Sequence, residues 1–364
     1  MIFNLDKTID EYKNTPLLLG PEPGLFDTVH RKYPKIWSLY KEMKSLDWSE
    51  DEFDYSQCKI DFKNAPKDSA DMMIETLAWQ WEADSVASRS IISVLAPFIA
   101  SSELWAAWQR ISDNEVVHAA TYSEIVRMSF DNPNEVLKKI LNITESFQRL
   151  EPVAKVFTEV AKVGHEYALG LRQNDQETYN AVYLAICTLL MLERIQFMAS
   201  FAITFTICGS GLFQPIGKAV QKICQDELEV HCELDKAVIL IENKTERGQI
   251  AKEQLKERIS EIFHSIVNSE FEWSENRIFG NGRQLLGTNL EMIKEWVLFN
   301  AKDVDRFLDI GSPEYTYPKF NPMPSLEPWI NMNKQQAAPQ EQDLAAYKVG
   351  AFVNDDDDAE FEDF

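Results

Sequence analysis

The most constraining feature of this sequence is a set of ionisable side chains inside the apolar faces of four predicted helices. Asp84 shares one helical face with Leu77, Trp81 and Ile91, so it should point into a core. The same pattern recurs on three later helices, with Glu115 and His118, with Glu193, and with Glu227 and His231. A buried carboxylate is costly unless it is paired or bound to a metal ion. We therefore expect these six side chains to converge.

Four carboxylates and two imidazoles on facing helices form the ligand set of di-iron and di-manganese carboxylate centres. Such centres take one Glu or Asp from each of two helices and a Glu–His pair from each of the other two. Carboxylate oxygens with one imidazole per ion suit iron or manganese and leave positions open for dioxygen. The residues alone thus predict a dinuclear metal site in a helical bundle.

Long helical patterns with short connections account for most of the 364 residues. The predicted helices span approximately residues 67–95, 101–129, 133–171, 177–207, 214–242, 248–277 and 284–308. No stretch shows the period-two alternation of a half-buried strand. Because 45% of the residues are hydrophobic, the chain can bury a large core. These patterns predict an all-α fold, arranged as a helical bundle.

The composition divides the sequence into three parts. Residues 1–30 are predicted to form an irregular N-terminal arm, because they contain several prolines and glycines. Residues 31–311 contain the helical patterns, and residues 312–364 are rich first in proline and then in acidic residues. The terminal NDDDDAEFEDF segment has two interpretations, a solubilising end or a docking peptide. Docking is favoured because Phe361 and Phe364 give a partner apolar groups to bury.

Charge and cysteine content narrow the class of protein further. The net charge of −23 argues against binding to nucleic acid, which needs a basic face. The five cysteines are odd in number and form no C-x-x-C pair, so we expect a reducing, cytoplasmic environment. The N-terminal residues lack the pattern of a signal peptide. The apolar stretch 181–212 contains Glu193 and Arg194 near its middle, which favours a core helix over a membrane span.

Spacing separates the proposed ligands from other histidine-containing patterns. Asp84 and Glu115 are 31 residues apart, and Glu193 and Glu227 are 34 apart, which predicts two similar helical hairpins. A further Glu-x-x-His pattern at residues 261–264 begins 68 residues after Glu193 and breaks this symmetry. We interpret it as a surface or satisfied pair. The remaining histidines, which we interpret as ordinary ones, are His30 and His165.

The second Glu–His pair has an unusual spacing. Glu227 and His231 are four residues apart, whereas Glu115 and His118 are three apart, and both spacings keep the pair on one helical face. Glu229 lies on nearly the opposite face and is the poorer ligand. A π-bulge, a feature often found at functional sites, would reconcile the two geometries.

Several motifs resemble those of a known family. Asp84 lies in WEADS, Tyr122 ends NEVVHAATY, and Asp226 lies in QDELEVH. The segments LERIQFMASF, NPMPSLEPWI and APQEQDLAAYKVG add to the match. Together they resemble the small, radical-generating beta subunit of class I ribonucleotide reductase, from about Trp48 to the C-terminus. The resemblance implies a ferritin-like helical bundle, usually a homodimer, that serves a large alpha subunit in the reduction of ribonucleoside diphosphates.

The resemblance also implies a ligand set for each metal ion. One ion would be held by Asp84, Glu115 and His118. The other would be held by Glu193, Glu227 and His231, and the bridging ligands would be Glu115 and Glu227. The cofactor would be two iron ions, with manganese or a mixed pair as alternatives, and an oxygen-derived bridging ligand.

Further residues match the family's radical chemistry. Tyr122 matches the tyrosine that is oxidised to a stable radical. The apolar residues that match the pocket shielding it are Phe197, Phe201 and Ile223. Trp48 and Asp226 match the relay toward the surface, and Tyr347 matches the tail tyrosine that passes the radical to the large subunit. Gln225 departs from the family pattern, which has a basic residue there.

Three alternatives remain open at this stage. A ferritin-like iron-handling protein or di-iron oxidase would use the same six ligands. A monooxygenase acting directly on a small apolar substrate would need an open pocket beside the metal ions. A metal-free interaction scaffold would have to bury six ionisable groups, which is costly.

Overall fold

A computed structural model describes residues 4, 8–21, 24–143 and 145–331, without the side chains of residues 145–147. Within these ranges the chain is helical, and the only β pairing is two isolated bridges. The α-helices are α1 (Ile9–Asn14), α2 (Pro34–Ser45), α3 (Cys58–Asn64), α4 (Lys67–Leu95), α5 (Ser102–Ser129), α6 (Pro133–Leu141), α7 (Glu145–Ala168), α8 (Gln176–Met191), α9 (Met198–Gly209), α10 (Gln214–Gln225), α11 (Cys232–Glu242), α12 (Glu246–Gln254), α13 (Lys256–Trp273), α14 (Leu290–Leu308) and α15 (Glu327–Ile330). The predicted all-α bundle is confirmed.

Four long helical segments form the centre of the bundle: α4, α5, α8 with α9, and α10 with α11. Helix α4 packs against α5 and α9, while α9 also contacts α10 and α8 contacts α11. Side-chain caps fix where these helices begin. The Ser101 hydroxyl accepts a hydrogen bond from the Leu104 amide at the start of α5, and Asp175 accepts one from Thr178 at the start of α8. The apolar faces of all four segments meet in one continuous core.

Three helices contain or end in a π-helical segment, in which the backbone hydrogen bonds span one additional residue. These segments are Leu192–Gln196 between α8 and α9, Asp226–His231 between α10 and α11, and Ser274–Ile278 after α13. The second of these segments is the kind of π-bulge that would reconcile the spacing of Glu227 and His231 with that of Glu115 and His118. The other two segments were not expected from the sequence.

Some helix boundaries differ from the expected ones. The predicted helix over 133–171 is divided into α6 and α7, because the Asn142 and Ile143 amides turn back to carbonyls three residues earlier. The predicted helix over 248–277 is divided at Leu255 into α12 and α13. The N-terminal arm contains one short helix, α1, which a Thr8–Glu11 capping box initiates.

The most apolar helical segment is a core element. Gln176–Gly209 is long and apolar enough to cross a membrane by length and composition, with a mean hydropathy of 1.5 over its most apolar window. However, 89% of that window is buried inside the protein. It is the core helix that the polar residues at its middle indicated.

The proline-rich segment after α14 packs back onto the bundle. Its Trp329 ring stacks on Phe205 of α9, with centroids 5.3 Å apart and an interplanar angle of 9°. The Gln221 side chain of α10 donates hydrogen bonds to the carbonyl oxygens of Pro328 and Trp329. Residues 332–364, including Tyr347 and the acidic tail, lie outside the described residues. The three-part domain division stays a prediction.

Candidate metal centre

The bundle brings the six predicted ligand residues together. Asp84 lies on α4, Glu115 and His118 lie on α5, Glu193 lies in the first π segment, and Glu227 and His231 lie in the second. Each of the six is at most 1% exposed. Their potential ligand atoms form two groups, within each of which the atoms lie no more than 4.8 Å apart. One group is Asp84, Glu115 and His118, and the other is Glu115, Glu193, Glu227 and His231.

Glu115 belongs to both groups, so the two groups adjoin one another. The Nδ1 atom of His118 lies 3.2 Å from Oε1 of Glu227 and 3.5 Å from Oε2 of Glu115. The Nδ1 atom of His231 lies 3.1 Å from Oε2 of Glu227 and 3.6 Å from Oε1 of Glu115. Both imidazoles therefore turn Nδ1 toward the same carboxylates. This is a dinuclear arrangement with Glu115 between the two positions.

The donor atoms fit a pair of divalent cations. In the part of the chain that the structure describes, neither carboxylate oxygen of Asp84, Glu115 or Glu193 accepts a hydrogen bond. Buried carboxylates without hydrogen bonds are strongly destabilising unless a cation compensates them. Four carboxylates and two imidazoles at these distances supply the oxygen-rich, one-imidazole-per-ion set that iron and manganese accept.

The pKa directions show how closely the carboxylates interact. Burial raises the pKa of Asp84 well above its ordinary value, and the neighbouring Glu115 carboxylate raises it further. Burial also raises the pKa of Glu115 and of Glu193, and Glu227 adds to the effect in both cases. Burial acts the same way on Glu227, but the nearby histidines, above all His231, lower its pKa. Because the buried carboxylates repel one another, binding of a cation between them would be favourable.

The second π segment explains the unusual spacing of Glu227 and His231. Its widened turn keeps both side chains buried and brings them to one side of the helix. Glu229 of the same segment is partly exposed, and Gln225 donates a 3.1 Å hydrogen bond to its carboxylate. Glu229 is therefore outside both groups, as its position on the helix predicted.

A hydrogen-bonded chain leads away from His118. The indole Nε1 of Trp48 donates a 2.8 Å hydrogen bond to Oδ2 of Asp226, and the same oxygen lies 3.1 Å from Nε2 of His118. The rings of Trp48 and His118 also stack, with centroids 6.0 Å apart. Trp48 is only 8% exposed, so this hydrogen-bonded chain lies inside the protein. The structure thus brings together the two residues that the resemblance assigned to the relay.

Tyr122 lies one turn beyond His118 on α5 and is fully buried. No described residue makes a hydrogen bond with its hydroxyl. Burial raises the pKa of Tyr122, and the Asp84 carboxylate is the charged group that raises it most. The predicted pocket residues Phe197, Phe201 and Ile223 are at most 1% exposed and belong to the same core.

The histidines that were set aside take part in ordinary contacts or lie on the surface. The ring nitrogens of His264 contact the Ser260 carbonyl oxygen and the Glu314 carboxylate. Glu261, the other residue of that pattern, is exposed. His30 pairs with Asp27 at 2.8 Å, and His165 is exposed. None of them joins a metal-ligand group among the described residues.

Sequence reasoning missed a buried ion pair beside the first π segment. Arg149 pairs with Glu270 and donates a 2.6 Å hydrogen bond to the carbonyl oxygen of Gln196, the last residue of that segment. Its guanidinium lies between two indole rings, 4.0 Å from the Trp79 centroid and 3.9 Å from that of Trp273. Arg149 and Glu270 are 121 residues apart, and nothing in either local pattern indicates the pairing.

Fold and site together define the class: a ferritin-like helical protein whose central helices converge on a buried carboxylate–histidine cluster suited to two metal ions. The family model for the ribonucleotide reductase small chain matches residues 25–319. The chain belongs to this family, which confirms the resemblance, and it is the beta-subunit type of an oxidoreductase.

Individual relatives can be aligned with nearly the whole chain. The ribonucleoside-diphosphate reductase beta subunit of Buchnera aphidicola subsp. Schizaphis graminum is 24% identical over 363 residues, covering 96% of this chain and 95% of its own length. That of Enterobacteria phage T4 is 24% identical over 372 residues, covering 95% and 94%.

Solved structures share the fold. The ribonucleotide reductase R2 subunit from Clostridium botulinum has a TM-score of 0.76 at 19% identity, covering 91% of this chain and 98% of its own. The dimanganese(II)-NrdF of Streptococcus sanguinis has a TM-score of 0.68 at 15% identity, covering 85% and 99%.

Proposed function

We propose that this small subunit uses two metal ions, held by the six buried residues, to oxidise Tyr122 to a stable radical for ribonucleoside-diphosphate reduction. The observation that carries the proposal is the shared position of Glu115 in two adjoining ligand groups, with the buried Tyr122 one turn from His118. When bound, a reduced pair of iron ions, or of manganese or both, supplies the oxidising equivalent by reacting with dioxygen.

The chain's own residues would protect the radical and take up its proton. Phe197, Phe201 and Ile223 provide an apolar, water-excluding environment in the core that contains Tyr122. A neutral phenol that loses an electron also loses its proton, so a nearby base is required. The carboxylate of Asp84 is the charged group with the strongest influence on Tyr122, which favours it as the acceptor of that proton.

The contact between Asp226 and Trp48 supports a relay between the metal centre and the surface. In the proposed role, Trp48 carries the electron, and Asp226 links its indole to His118 by hydrogen bonds. An iron-handling protein or a di-iron oxidase could use the same six residues and a carboxylate bound to His118, but a tryptophan bound to that carboxylate is needed only for the relay. The relay geometry therefore favours the radical-generating function over either alternative.

Membership of a small-chain family implies a large-subunit partner and a homodimer. We infer that Tyr347 passes the radical onward and that the acidic tail docks the large subunit. Support comes from the root of the tail, where Trp329 and Gln221 fix the last described residues to α9 and α10. The five free, buried cysteines are compatible with the cytoplasmic location that we propose.

The proposed function is tested by reconstitution of the full-length protein. The metal-free chain is loaded anaerobically with Fe(II), exposed to oxygen, and followed by electron paramagnetic resonance and visible spectroscopy. We expect a tyrosyl signal in the wild type and its disappearance in Tyr122→Phe. The variant Tyr183→Phe, which alters another buried tyrosine, is the matched control and should keep the signal. A wild-type protein that binds two ions but gives no tyrosyl signal would overturn the proposal.

A further inference from the structure

The backbone of the first π segment, Leu192–Gln196, sets the direction of the Glu193 side chain. Both carboxylate oxygens of Glu193 are buried, and neither makes a hydrogen bond with any described residue. Successive residues of a helix differ in direction by about 100°, and a π turn holds one residue more than an α turn. If this segment took the regular α form, the residues before it would rotate against those after it. The orientation of Glu193 therefore depends on the contacts that keep the segment in its π form.

Arg149 of α7 contacts the backbone of this segment at its last residue. The Nη2 atom of Arg149 donates a 2.6 Å hydrogen bond to the carbonyl oxygen of Gln196. In the other direction, Nε2 of Gln196 donates a 2.7 Å hydrogen bond to the carbonyl oxygen of Arg149. Arg149 is 2% exposed and Gln196 is 0% exposed, so both bonds are shielded from solvent. This reciprocal pair of hydrogen bonds fixes the end of the π segment to α7.

The guanidinium of Arg149 is itself held by two further helices. Its Nε and Nη2 atoms donate hydrogen bonds to the two carboxylate oxygens of Glu270 on α13. The ring centroids of Trp79 on α4 and Trp273 on α13 lie 4.0 and 3.9 Å from its central carbon atom. Because the planar guanidinium is bound along one edge and stacked on aromatic rings, it loses little freedom when it also binds the Gln196 carbonyl oxygen. It is a rigid donor at a fixed place.

We propose that Arg149 is a positioning residue for the metal centre, which keeps the first π segment in the form that directs Glu193 at its metal ion. The contact through which it acts is the hydrogen bond to the Gln196 carbonyl oxygen. Glu193 shares its ligand group with Glu227 and His231. The ion of that group is therefore the one that depends on Arg149. The inference rests on the proposed function, because it assumes that Glu193 binds metal.

A double apolar variant separates positioning from a merely structural role. A buried ion pair can be replaced by apolar side chains of similar volume with little loss of stability, and often with a gain. Arg149→Met combined with Glu270→Leu removes the donor to the Gln196 carbonyl oxygen and leaves no buried charge unpaired. If the ion pair only stabilised the bundle, this variant would bind both ions as the wild type does. If Arg149 positions Glu193, the variant folds normally and binds one ion more weakly.

Metal binding by the full-length protein gives the measurement. Mn(II) is titrated anaerobically, against a competing chelator, into the metal-free wild type and the double variant. We expect a similar Tm for the two proteins in chelator, but binding of one of the two ions that is about 10-fold weaker in the variant, the lower end of the effect of outer-shell changes. At two equivalents of Mn(II), electron paramagnetic resonance should show a spin-coupled pair in the wild type and the six-line signal of an isolated ion in the variant. Equal affinities for both ions in a variant of normal stability would overturn the proposal.

The matched control is the same pair of changes at another ion pair of the bundle. Arg277 of the third π segment contacts Glu75 of α4 at 2.9 Å. The variant that combines Glu75→Leu with Arg277→Met should bind both ions as the wild type does. Equal weakening of one ion in both double variants would show a general effect of packing and would also overturn the role of Arg149.

A single variant serves if the double variant does not fold. Arg149→Lys keeps a positive charge beside Glu270 but lacks the planar fork that binds Glu270 and the Gln196 carbonyl oxygen together. It should weaken the same ion, and unchanged binding of both ions would contradict the proposal.

The outcomes distinguish this inference from the function on which it rests. A wild-type protein that binds no metal ions contradicts the proposed function and this inference together. A wild-type protein that binds two ions and forms the Tyr122 radical, with Arg149 variants of unchanged metal affinity, contradicts only the role of Arg149.

Discussion

The Trp48 indole and the Asp226 carboxylate are joined by a 2.8 Å hydrogen bond, although the two residues are 178 positions apart. Asp226 immediately precedes Glu227 in the second π segment, so the same turn carries a proposed metal ligand and the residue that binds Trp48. Radical storage and radical transfer should therefore be separable by substitutions on either side of this hydrogen bond.

Substitution of Trp48 tests that separation. In Trp48→Phe the indole donor is lost, while the ligand residues are untouched. We expect normal metal binding and a normal Tyr122 radical after reconstitution, with reductase turnover lowered about 10- to 100-fold, the effect typical of changes to outer-shell partners. Turnover is measured with the large subunit. Trp37→Phe, at a partly buried tryptophan on α2, is the control, and equal turnover in both variants would exclude the relay role.

Removal of the metal ions should destabilise the protein. Each ion would neutralise buried carboxylates, and an ion present at about 100 times its dissociation constant would add about 2.7 kcal/mol to the free energy of unfolding. Thermal unfolding with Mn(II), compared with unfolding in a chelator, measures the difference without oxygen chemistry. An identical Tm in the two conditions would argue that no ion is bound.

Glu115→Leu should abolish the stabilisation of the protein by metal ions. The variant removes the carboxylate shared by both groups, so added Mn(II) should no longer raise the Tm. Without metal, we expect the variant to be at least as stable as the wild type, because it removes one of the buried carboxylates that repel one another. Chemical unfolding in chelator gives the comparison, and a metal-free variant clearly weaker than the wild type would count against the shared site.

The Arg149–Glu270 pair should be important for stability. Arg149→Leu leaves Glu270 buried without its cation, and we expect a loss of about 3–5 kcal/mol in the free energy of unfolding. Burial already raises the pKa of Glu270 to about 7, and loss of Arg149 removes the group that opposes this rise. Because the folded variant binds this proton more tightly than the unfolded chain, its stability should fall as pH rises from about 4.5, the ordinary pKa of a glutamate, to beyond about 7.

The control for this pair is an exposed ion pair elsewhere on the surface. Arg258 contacts Glu159, and both side chains are well exposed. Arg258→Leu should cost less than about 1 kcal/mol and show no comparable pH dependence. If the two arginine variants lose the same stability, the buried pair has no special importance.

Deletion of residues from Asn354 onward tests the docking role of the tail. We expect the truncated protein to bind its metal ions and to form the Tyr122 radical, but to lose binding to the large subunit and reductase activity. Tyr347→Phe should bind the large subunit normally and still be inactive. Activity retained by the truncated protein would show that docking depends on another surface.

The sequence predicted the site well where its signals were local. Asp84, Glu115 and Glu193 interrupt apolar faces, and the four-residue spacing of Glu227 and His231 drew attention to a π-bulge as its explanation. Each of these inferences needs only the periodicity of one helix.

Other features depend on contacts between distant segments. The sequence did not predict the pairing of Arg149 with Glu270, because it depends on how α7 packs against α13. The break between α6 and α7 was also missed. The chain turns at Asn142 and Ile143, but the helical spacing of apolar residues continues through this turn.

The π segment at Asp226–His231 affects how this helix tolerates insertions and deletions during evolution. Inserting a residue into a regular helix rotates everything beyond it by about 100° and would turn the following side chains away from their partners. A π turn accommodates the added residue locally, so α11 keeps its orientation. Gain or loss of one position, usually among the most damaging kinds of mutation, is here a tolerable form of variation, so an ancestral or engineered version one residue shorter could keep the same fold.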